Sequence, residues 1–386
     1  MPLRQDETEP IEQNDLQQLI DDGEAEGQRL DYKRELPPAW NDAAKQELLS
    51  DASAFANASG GHLVFGIEQD DEGRAARIVP LPFNPDVDAM RIENMLRDGA
   101  EPRMPGLRVD AVQVEVEGKR GFVVLIYAPQ SWVGPHRVRA SRHFYVRDGR
   151  QSRPVDIPEL RALFLGASSR SQQIHDFRTE RLGKILVGES PYGLMAGPAL
   201  VLHLVPLRAL TGTADVDPVE YRSLRRQVPV LTSATGAASA LVNLDGAAGA
   251  RPMQGARTHG YTLLFRNGFV EGTWVLGSNN PQYRGILPGD TFERYISQFV
   301  AAARSEFRHW RVDGEAVVML SILDASDVAL GVPRDFAGNE VGKFDRKVLA
   351  LPEVVLRGVA EAQEELKPLF DLVWQSAGFA GSPYGA

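Results

Sequence analysis

Residues 42–68 carry the pattern that most constrains how this chain folds. Five apolar residues in the first part of this stretch recur at helical spacing and predict an amphipathic helix: Leu48, Leu49, Ala52, Phe55 and Ala56. Gly60 and Gly61 end the predicted helix, and the apolar run HLVFGIE at 62–68 is typical of a buried strand. A helix that leads directly into a buried strand predicts a domain that mixes helices with a sheet.

The chain has 386 residues, which is enough for two or three domains. After a polar tail at 1–13, helix and strand patterns extend from 14 to 166, and the small, polar stretch GASSRSQQ at 166–173 predicts a boundary. Residues 174–386 again mix helices and strands, with a hairpin at Asn267-Gly268 and a long Gly/Ala-rich loop at 232–257. We therefore predict an α/β (α+β) protein, in which a mixed-sheet N-terminal domain precedes a second α/β domain without a recognisable chemical motif.

Composition excludes several classes of protein. The chain has no cysteine, and so no disulfide, thiolate metal site or cysteine nucleophile. Its polar, acidic beginning is unlike a signal peptide. The best candidate for a membrane span, GPALVLHLVPLRAL at 197–210, is short and interrupted by polar residues. We expect a cytoplasmic protein that does not interact with a membrane.

Charge is unevenly distributed along the chain. The net charge is −10, yet residues 135–153 contain one acid, Asp148, and six arginines: Arg137, Arg139, Arg142, Arg147, Arg150 and Arg153. Arginines next to an aromatic side chain such as Tyr145 are typical of grooves that contact nucleic-acid phosphates. The alternative is an ordinary solvated surface, but the acidity of the rest of the chain favours polyanion binding.

An acidic pair with a lysine precedes the predicted helix, in the stretch EAEGQRLDYK. Asp31 and Lys33 point to the same face of a predicted strand, and Glu26 joins them if the chain bends at Gly27. Two carboxylates and a lysine on one surface are suited to hold a divalent cation such as Mg²⁺ or Mn²⁺ and to offset the charge of a phosphodiester. The alternative is an exposed strand with an ordinary salt bridge.

The strand predicted after the double glycine ends in further acids. Glu68 emerges at its end, where a third carboxylate would complete a metal site. Asp70 is a further candidate ligand, whereas the acids at 71–72 suit a hairpin turn. We predict that the carboxylates of Glu26, Asp31 and Glu68 lie within about 8 Å of one another, the span that one or two metal ions bridge.

Two further features are candidates for binding a nucleotide such as ATP. The Gly60-Gly61 pair is suited to cradle a phosphate, but it lacks the lysine and the spacing of known nucleotide-binding loops, so a helix C-cap is the alternative. Asn57 is equally suited to contact a nucleotide or to cap the helix end. His62 is expected to be a core or rim residue rather than a ligand.

Three blocks of the sequence, in this order, resemble the signature of the Schlafen AlbA-like domain family: GEAEGQRLDYKREL, KQELLSDASAFANASGGHLVFGIEQDDEG and FYVRDGRQSRP. The resemblance implies that Glu26 and Asp31 stand where the nuclease-type members have their first two carboxylates, with Lys33 beside them. It departs from those members at Gln69, where they usually carry an acid, so that Glu68 or Asp70 would have to supply the third carboxylate.

The resemblance implies a nucleic-acid-binding protein with two alternatives for its activity. The animal members form a metal-dependent endoribonuclease that acts on structured RNA such as tRNA, while bacterial members are described as DNA- or ATP-binding regulatory modules. We expect the nuclease, with Mg²⁺ or Mn²⁺ as cofactor and RNA rather than DNA as partner. The alternatives are a non-catalytic regulator, which Gln69 favours, and a component of phage defence; a homodimer is left open.

Overall fold

The computed structural model describes residues 11–211, 214, 216–224, 226–231, 237–250, 253–276, 285–331, 342–358 and 361–384. The chain divides into two compact units, Met1–Gln172 and Gln173–Ala386. Each unit is described by itself.

The described part of the first unit contains three helices and the beginning of a fourth: α1 (Gln13–Asp21), α2 (Asp42–Asn57), α3 (Val87–Gly99) and α4 (Ile157–Leu186). Its strands are β1 (Leu30–Lys33), β2 (Gly61–Phe65), β3 (Ile67–Gln69), β4 (Ala75–Ile78), β5 (Ala100–Glu101), β6 (Arg108–Val116), β7 (Lys119–Ala128), β8 (Arg137–Val138), β9 (Tyr145–Asp148) and β10 (Gln151–Pro154).

The main sheet of the first unit has four strands in the order β1-β2-β7-β6. β1 and β2 are parallel, and the other neighbours are antiparallel. α2 and α3 pack against one face through a cluster that includes Phe55 and Ile92, and α1 packs against the other through Leu16 and Leu19. α2 confirms the helix predicted at 42–58, and it begins after Asn41, whose side chain accepts a hydrogen bond from the N–H of Ala44 (2.9 Å).

The strand predicted at 62–68 is interrupted at Gly66. This glycine has φ +97°, a conformation that residues with a side chain rarely adopt. β2 therefore ends at Phe65, and the chain continues as β3, which pairs with β4 in a separate two-stranded sheet. Because the alternation of side chains does not continue through Gly66, Glu68 is not placed on the face that a single strand would give it.

The described part of the second unit contains the end of α4 and the helices α5 (Pro218–Ser223), α6 (Gly289–His309) and α7 (Ala362–Ser376). Its strands are β11 (Gly193–Leu194), β12 (Ala199–Pro206), β13 (Gln227–Pro229), β14 (Ala237–Ser239), β15 (Leu241–Val242), β16 (Gly246–Ala250), β17 (Met253–Gln254), β18 (Arg257–Thr258), β19 (Tyr261–Phe265), β20 (Val270–Val275), β21 (Ile286–Pro288), β22 (Ala316–Leu323), β23 (Ala329–Gly331), β24 (Gly342–Lys343), β25 (Val348–Ala350) and β26 (Val354–Leu356).

The centre of the second unit is an eight-stranded sheet in the order β15-β16-β19-β20-β12-β22-β25, with β26 also paired to β22. The end of α4 packs on it through Leu182 and Ile185, which contact Val201 and Leu323. The hairpin predicted at Asn267-Gly268 is confirmed, since β19 and β20 are antiparallel neighbours joined by this turn.

The division between the two units falls between Gln172 and Gln173, inside the boundary predicted at 166–173. The chain is helical at this boundary, because α4 continues for 30 residues from Ile157 to Leu186. The loop predicted at 232–257 instead contains four strands and the first residue of a fifth in its described residues, and β16 lies in the large sheet with all five residues buried. The small residues of β16 serve close packing, because a side chain on Gly249 would come within 2.8 Å of Val228.

The predicted α/β (α+β) class with mixed sheets is confirmed by the parallel β1–β2 pair and the antiparallel pairs around it. None of the helices in the described parts of the chain is both long and apolar enough to span a membrane.

Candidate functional site

β1 brings Asp31 and Lys33 together on one side of the strand. Oδ2 of Asp31 lies 3.3 Å from Nζ of Lys33. Asp31 is buried, with 3% of its surface exposed, while the Lys33 side chain keeps 33% exposure. Because Asp31 is buried, the Asp31–Lys33 pair is not the ordinary exposed salt bridge considered as the alternative. A buried carboxylate needs compensating positive charge.

Arg147 of β9 is the second cation at Asp31. Its Nη2 donates a hydrogen bond to Oδ1 of Asp31 (2.8 Å), and its Nε donates one to the carbonyl of Gly27 (3.1 Å). The guanidinium lies over the ring of Phe55, 4.9 Å from its centre, and the Arg147 side chain is 1% exposed. The prediction that Arg147 contacts nucleic acid is therefore wrong: this arginine neutralises a buried carboxylate inside the domain.

α2 adds two carboxylates that were not among the predicted site residues. Oδ2 of Asp51 lies 3.6 Å from Nζ of Lys33, and Oε1 of Glu47, one turn earlier, lies 3.8 Å from it. Burial lowers the pKa of Lys33, but Asp51 and Asp31 together outweigh that effect and raise it above the ordinary value. The i, i+4 spacing of Glu47 and Asp51 is the signal that sequence reasoning missed, since it puts both on one helix face.

Burial also raises the pKa of the Asp51 carboxyl, against the opposing effect of the nearby Lys33 ammonium. Asp51 is 8% exposed, so its charge is sustained by the lysine rather than by water. Asp31, Lys33, Glu47, Asp51 and Arg147 are called the charge cluster below.

Glu26 borders the charge cluster. Its Oε1 accepts a hydrogen bond from the N–H of Tyr32 (2.8 Å). Burial raises the pKa of the Glu26 carboxyl, the Tyr32 N–H lowers it, and the charge of Asp31 raises it again. The negative charge of Asp31 therefore acts on the Glu26 carboxyl at the border of the charge cluster.

Glu68 and Asp70 have other partners. Glu68 accepts hydrogen bonds from Arg34 (2.9 Å) and from Arg77. Oδ1 of Asp70 accepts from the N–H groups of Glu72 (3.0 Å) and Arg74 (2.8 Å), which makes it the turn residue between β3 and β4.

The predicted ligands do not fit a divalent metal ion in this arrangement. The two oxygens of Asp31 face Arg147 and Lys33, and the carboxylate of Glu68 faces two arginines. In the described parts of the chain, no three His, Asp or Glu side chains are grouped so that they could hold a metal ion. The predicted metal site of Glu26, Asp31, Glu68 and Asp70 is therefore not formed, because Gly66 redirects the strand and internal cations neutralise the acids.

Asn57 connects α2 to the basic segment inside the domain. Its Nδ2 donates to the carbonyls of His136 (3.0 Å) and Tyr145 (2.9 Å), and its Oδ1 accepts from the N–H of His136 (2.6 Å). Asn57 is 8% exposed, so neither predicted role applies: it links the backbone at His136 to that of Tyr145 in β9 instead of contacting a nucleotide or capping the helix. His62 is buried, as expected of a core residue.

The Gly60-Gly61 pair is a packed helix end and not a phosphate cradle. Gly60 has φ +68°, and its N–H donates to the carbonyl of Phe55 (2.9 Å), as in a C-cap. A side chain on Gly60 would come within 2.6 Å of the Gln130 nitrogen, and one on Gly61 within 2.6 Å of the Arg29 carbonyl oxygen. The predicted contact of these glycines with ATP is therefore not supported, because the domain itself fills the space beside them.

The remaining arginines of the 136–153 segment fall into two sets, those paired with an acid of the domain and those exposed to solvent. Arg137 donates to Glu101 (2.7 Å), and Arg153 is held by Asp148 (2.9 Å) and Glu159 (2.6 Å). A second set is exposed to solvent: Arg139, Arg142 and Arg150. Arg142 precedes β9 by three residues and Arg150 follows it by two, and no ion pair links either of them to a described residue. The exposed set is called the basic hairpin below.

The model of the Schlafen, AlbA_2 family matches residues 26–156. This match confirms the resemblance for the N-terminal unit, where it includes both the charge cluster and the basic hairpin. It extends over about a third of the chain, and the second unit lies outside it.

Among solved structures, the chain is similar to the crystal structure of the DIP2311 protein from Corynebacterium diphtheriae, with 26% sequence identity and a TM-score of 0.24. The match covers 33% of this chain and 25% of that chain, so it spans about a quarter of the DIP2311 protein. No curated protein matches this chain.

Proposed function

We propose that the domain at residues 26–156 binds the phosphate backbone of nucleic acid through the basic hairpin. The observation that carries this proposal is the exposure of Arg139, Arg142 and Arg150 on a chain whose net charge is −10. Exposed guanidinium groups donate to phosphate oxygens in a fixed fork geometry, and they raise the local concentration of a polyanion even on an acidic protein. The family match supports the coarser statement of a nucleic-acid-related role.

RNA is the proposed partner before DNA, and this preference rests on the resemblance to the ribonuclease members of the family. Cleavage is a second candidate function, favoured by the 3.3 Å contact between Asp31 and Lys33. The geometry supports binding better than cleavage, because Asp31 already faces two cations of its own domain and offers no open position for an attacking water on a metal ion.

The test is fluorescence anisotropy with a structured RNA, a single-stranded RNA and single- and double-stranded DNA. We expect the full chain to bind RNA, and the Arg139→Glu, Arg142→Glu, Arg150→Glu variant to bind at least about tenfold more weakly, since each lost phosphate contact also becomes a repulsion. A matched control reverses three exposed arginines of the same unit elsewhere: Arg97, Arg103 and Arg120.

The control variant has the same net charge as the hairpin variant and should retain affinity within about threefold. Equal loss in both variants would contradict the basic hairpin as the binding surface. RNA cleavage in Mn²⁺ that disappears in EDTA and in Asp31→Asn would establish the nuclease instead.

A further inference from the structure

The Lys33 ammonium stands among three carboxylates of its own domain. Nζ lies 3.3 Å from Asp31, 3.6 Å from Asp51 and 3.8 Å from Glu47. Glu47 is 70% exposed, so Asp31 and Asp51 are the two carboxylates that hold the ammonium in a partly dry environment.

The buried part of the charge cluster is balanced. Asp31 and Asp51 bring two negative charges, and Arg147 and Lys33 bring two positive charges. A divalent cation at this position would have to displace the Lys33 ammonium, which together with Arg147 already compensates the two buried carboxylates.

We propose that Lys33, positioned by Asp51, takes the place of a divalent metal ion in this cluster, and that the domain engages nucleic acid without one. The second half of this statement rests on the proposed function, whereas the first half does not. Asp51 acts here as a positioning residue: it lies on α2, whereas Asp31 and Lys33 lie on β1, and its carboxylate is 3.6 Å from the ammonium.

The first half, that Lys33 takes the place of a metal ion, is tested without nucleic acid. The protein is titrated with Mn²⁺, and the concentration of free Mn²⁺ is measured by electron paramagnetic resonance. Wild type should bind Mn²⁺ no more tightly than Lys45→Met, a control that removes a half-exposed lysine from α2, the helix that carries Glu47 and Asp51. Lys33→Met should bind at least about tenfold more tightly, because Asp51 and Glu47 lose their cation.

Circular dichroism decides whether Lys33→Met is folded, and Lys33→Gln replaces it if it is not. Tight Mn²⁺ binding by wild type that is lost in Asp31→Asn would overturn the proposal. So would a folded Lys33 variant that gains no Mn²⁺ affinity.

The positioning role of Asp51 is tested by acetylating the native protein and measuring the modification of Lys33 by mass spectrometry. Asp51→Asn should increase the rate at Lys33 by about threefold or more while the rate at Lys45 stays constant, and Asp51→Glu should restore slow modification. An unchanged Lys33 rate in Asp51→Asn would show that Asp51 does not hold the ammonium.

The second half is tested by RNA affinity in Mg²⁺ and in EDTA, and binding should be no tighter in Mg²⁺ than in EDTA, because Mg²⁺ competes with the arginines for the phosphates. Affinity that requires Mg²⁺ would overturn it. Absence of RNA binding under both conditions would overturn the proposed function and with it this second half, while the Mn²⁺ titration still decides whether Lys33 replaces a metal ion.

Discussion

At the scale of single residues, the arginines of one short segment have opposite roles. Arg147 is buried against Asp31 and Phe55, whereas Arg142 and Arg150, which flank its strand in the sequence, are exposed. The sequence shows six similar positive charges, and only the tertiary partner of each decides whether its charge reaches a ligand. Asp51 illustrates the same limit, because its i, i+4 spacing from Glu47 shows that the two acids share a helix face but not that Lys33 lies beside them.

Arg147→Ala should destabilise the first unit by about 3–5 kcal/mol, because it leaves the carboxylate of Asp31 buried with one of its two cations removed. Arg142→Ala is the matched control, and it should change the free energy of unfolding by no more than about 0.5 kcal/mol, since this side chain is exposed. Urea denaturation of the two variants measures both values. Equal effects would contradict the division of the arginines by burial.

In the second unit, Glu271 is fully buried and accepts hydrogen bonds from Arg181 (2.9 Å to each oxygen), from Tyr261 (2.7 Å) and from His203 (3.0 Å). Burial alone would raise the pKa of Glu271, but His203 and Arg181 lower it to about 2. Glu271→Gln should therefore destabilise the protein at neutral pH by about 3–5 kcal/mol, as expected when one partner of a buried ion pair is removed.

This destabilisation depends on pH in a defined sense. The folded-state pKa of Glu271 lies below the ordinary value of 4.5, so wild type has the full benefit above 4.5 and loses it as the pH falls towards 2. The stability difference between wild type and Glu271→Gln should shrink over that range, measured by denaturant unfolding at several pH values. Glu293→Gln is the control, because burial raises the pKa of Glu293 and its ionised form gains nothing comparable. A difference independent of pH would refute the account of this network.

At the scale of elements, the sequence predicts α2 and the β19–β20 hairpin correctly, because helical periodicity and the Asn-Gly turn are local signals. The prediction from sequence fails where a glycine is compatible with two backbone conformations. Gly66 looks like a strand residue with room beside it, but its positive φ ends the strand and moves Glu68 into another sheet. That one backbone angle separates the predicted metal ligands, and no pattern of side chains reveals it.

The segment predicted as a boundary is a second case at this scale. The chain divides into its two units inside 166–173, but the small polar residues do not show that α4 runs through this segment. Gly166→Ala should raise the stability of the chain by about 0.5–1 kcal/mol, since alanine is the better helix former and its methyl group would meet only the end of Arg170 at 3.6 Å.

Gly149→Ala is the matched control for this prediction. Gly149 has φ +59° in the turn between β9 and β10 with open space around it, so only backbone strain acts and the substitution should destabilise by about 1 kcal/mol. Thermal unfolding compares the two variants. A loss of stability in Gly166→Ala would indicate that residues 166–173 are not helical.

At the scale of the whole molecule, the chain joins two units of which the first carries the family match and all of the predicted site residues. The second unit contains buried charged groups such as the Arg181–Glu271 pair, which anchors α4 to the large sheet. The sequence predicts the presence of a second mixed α/β unit, but the partners inside it depend on strand register, which no local pattern fixes.

The central claim is that the basic hairpin binds nucleic-acid phosphates, and the salt dependence of RNA binding by the full chain in EDTA tests it most directly. For wild type, the logarithm of the binding constant should fall linearly with the logarithm of the salt concentration. The Arg139→Ala, Arg142→Ala, Arg150→Ala variant should have a slope smaller in magnitude by about 2. Each contact between an arginine and a phosphate of a single strand contributes about 0.7 to the slope, and the variant lacks three such contacts. A wild-type slope near zero, or the same slope in wild type and variant, would contradict the claim.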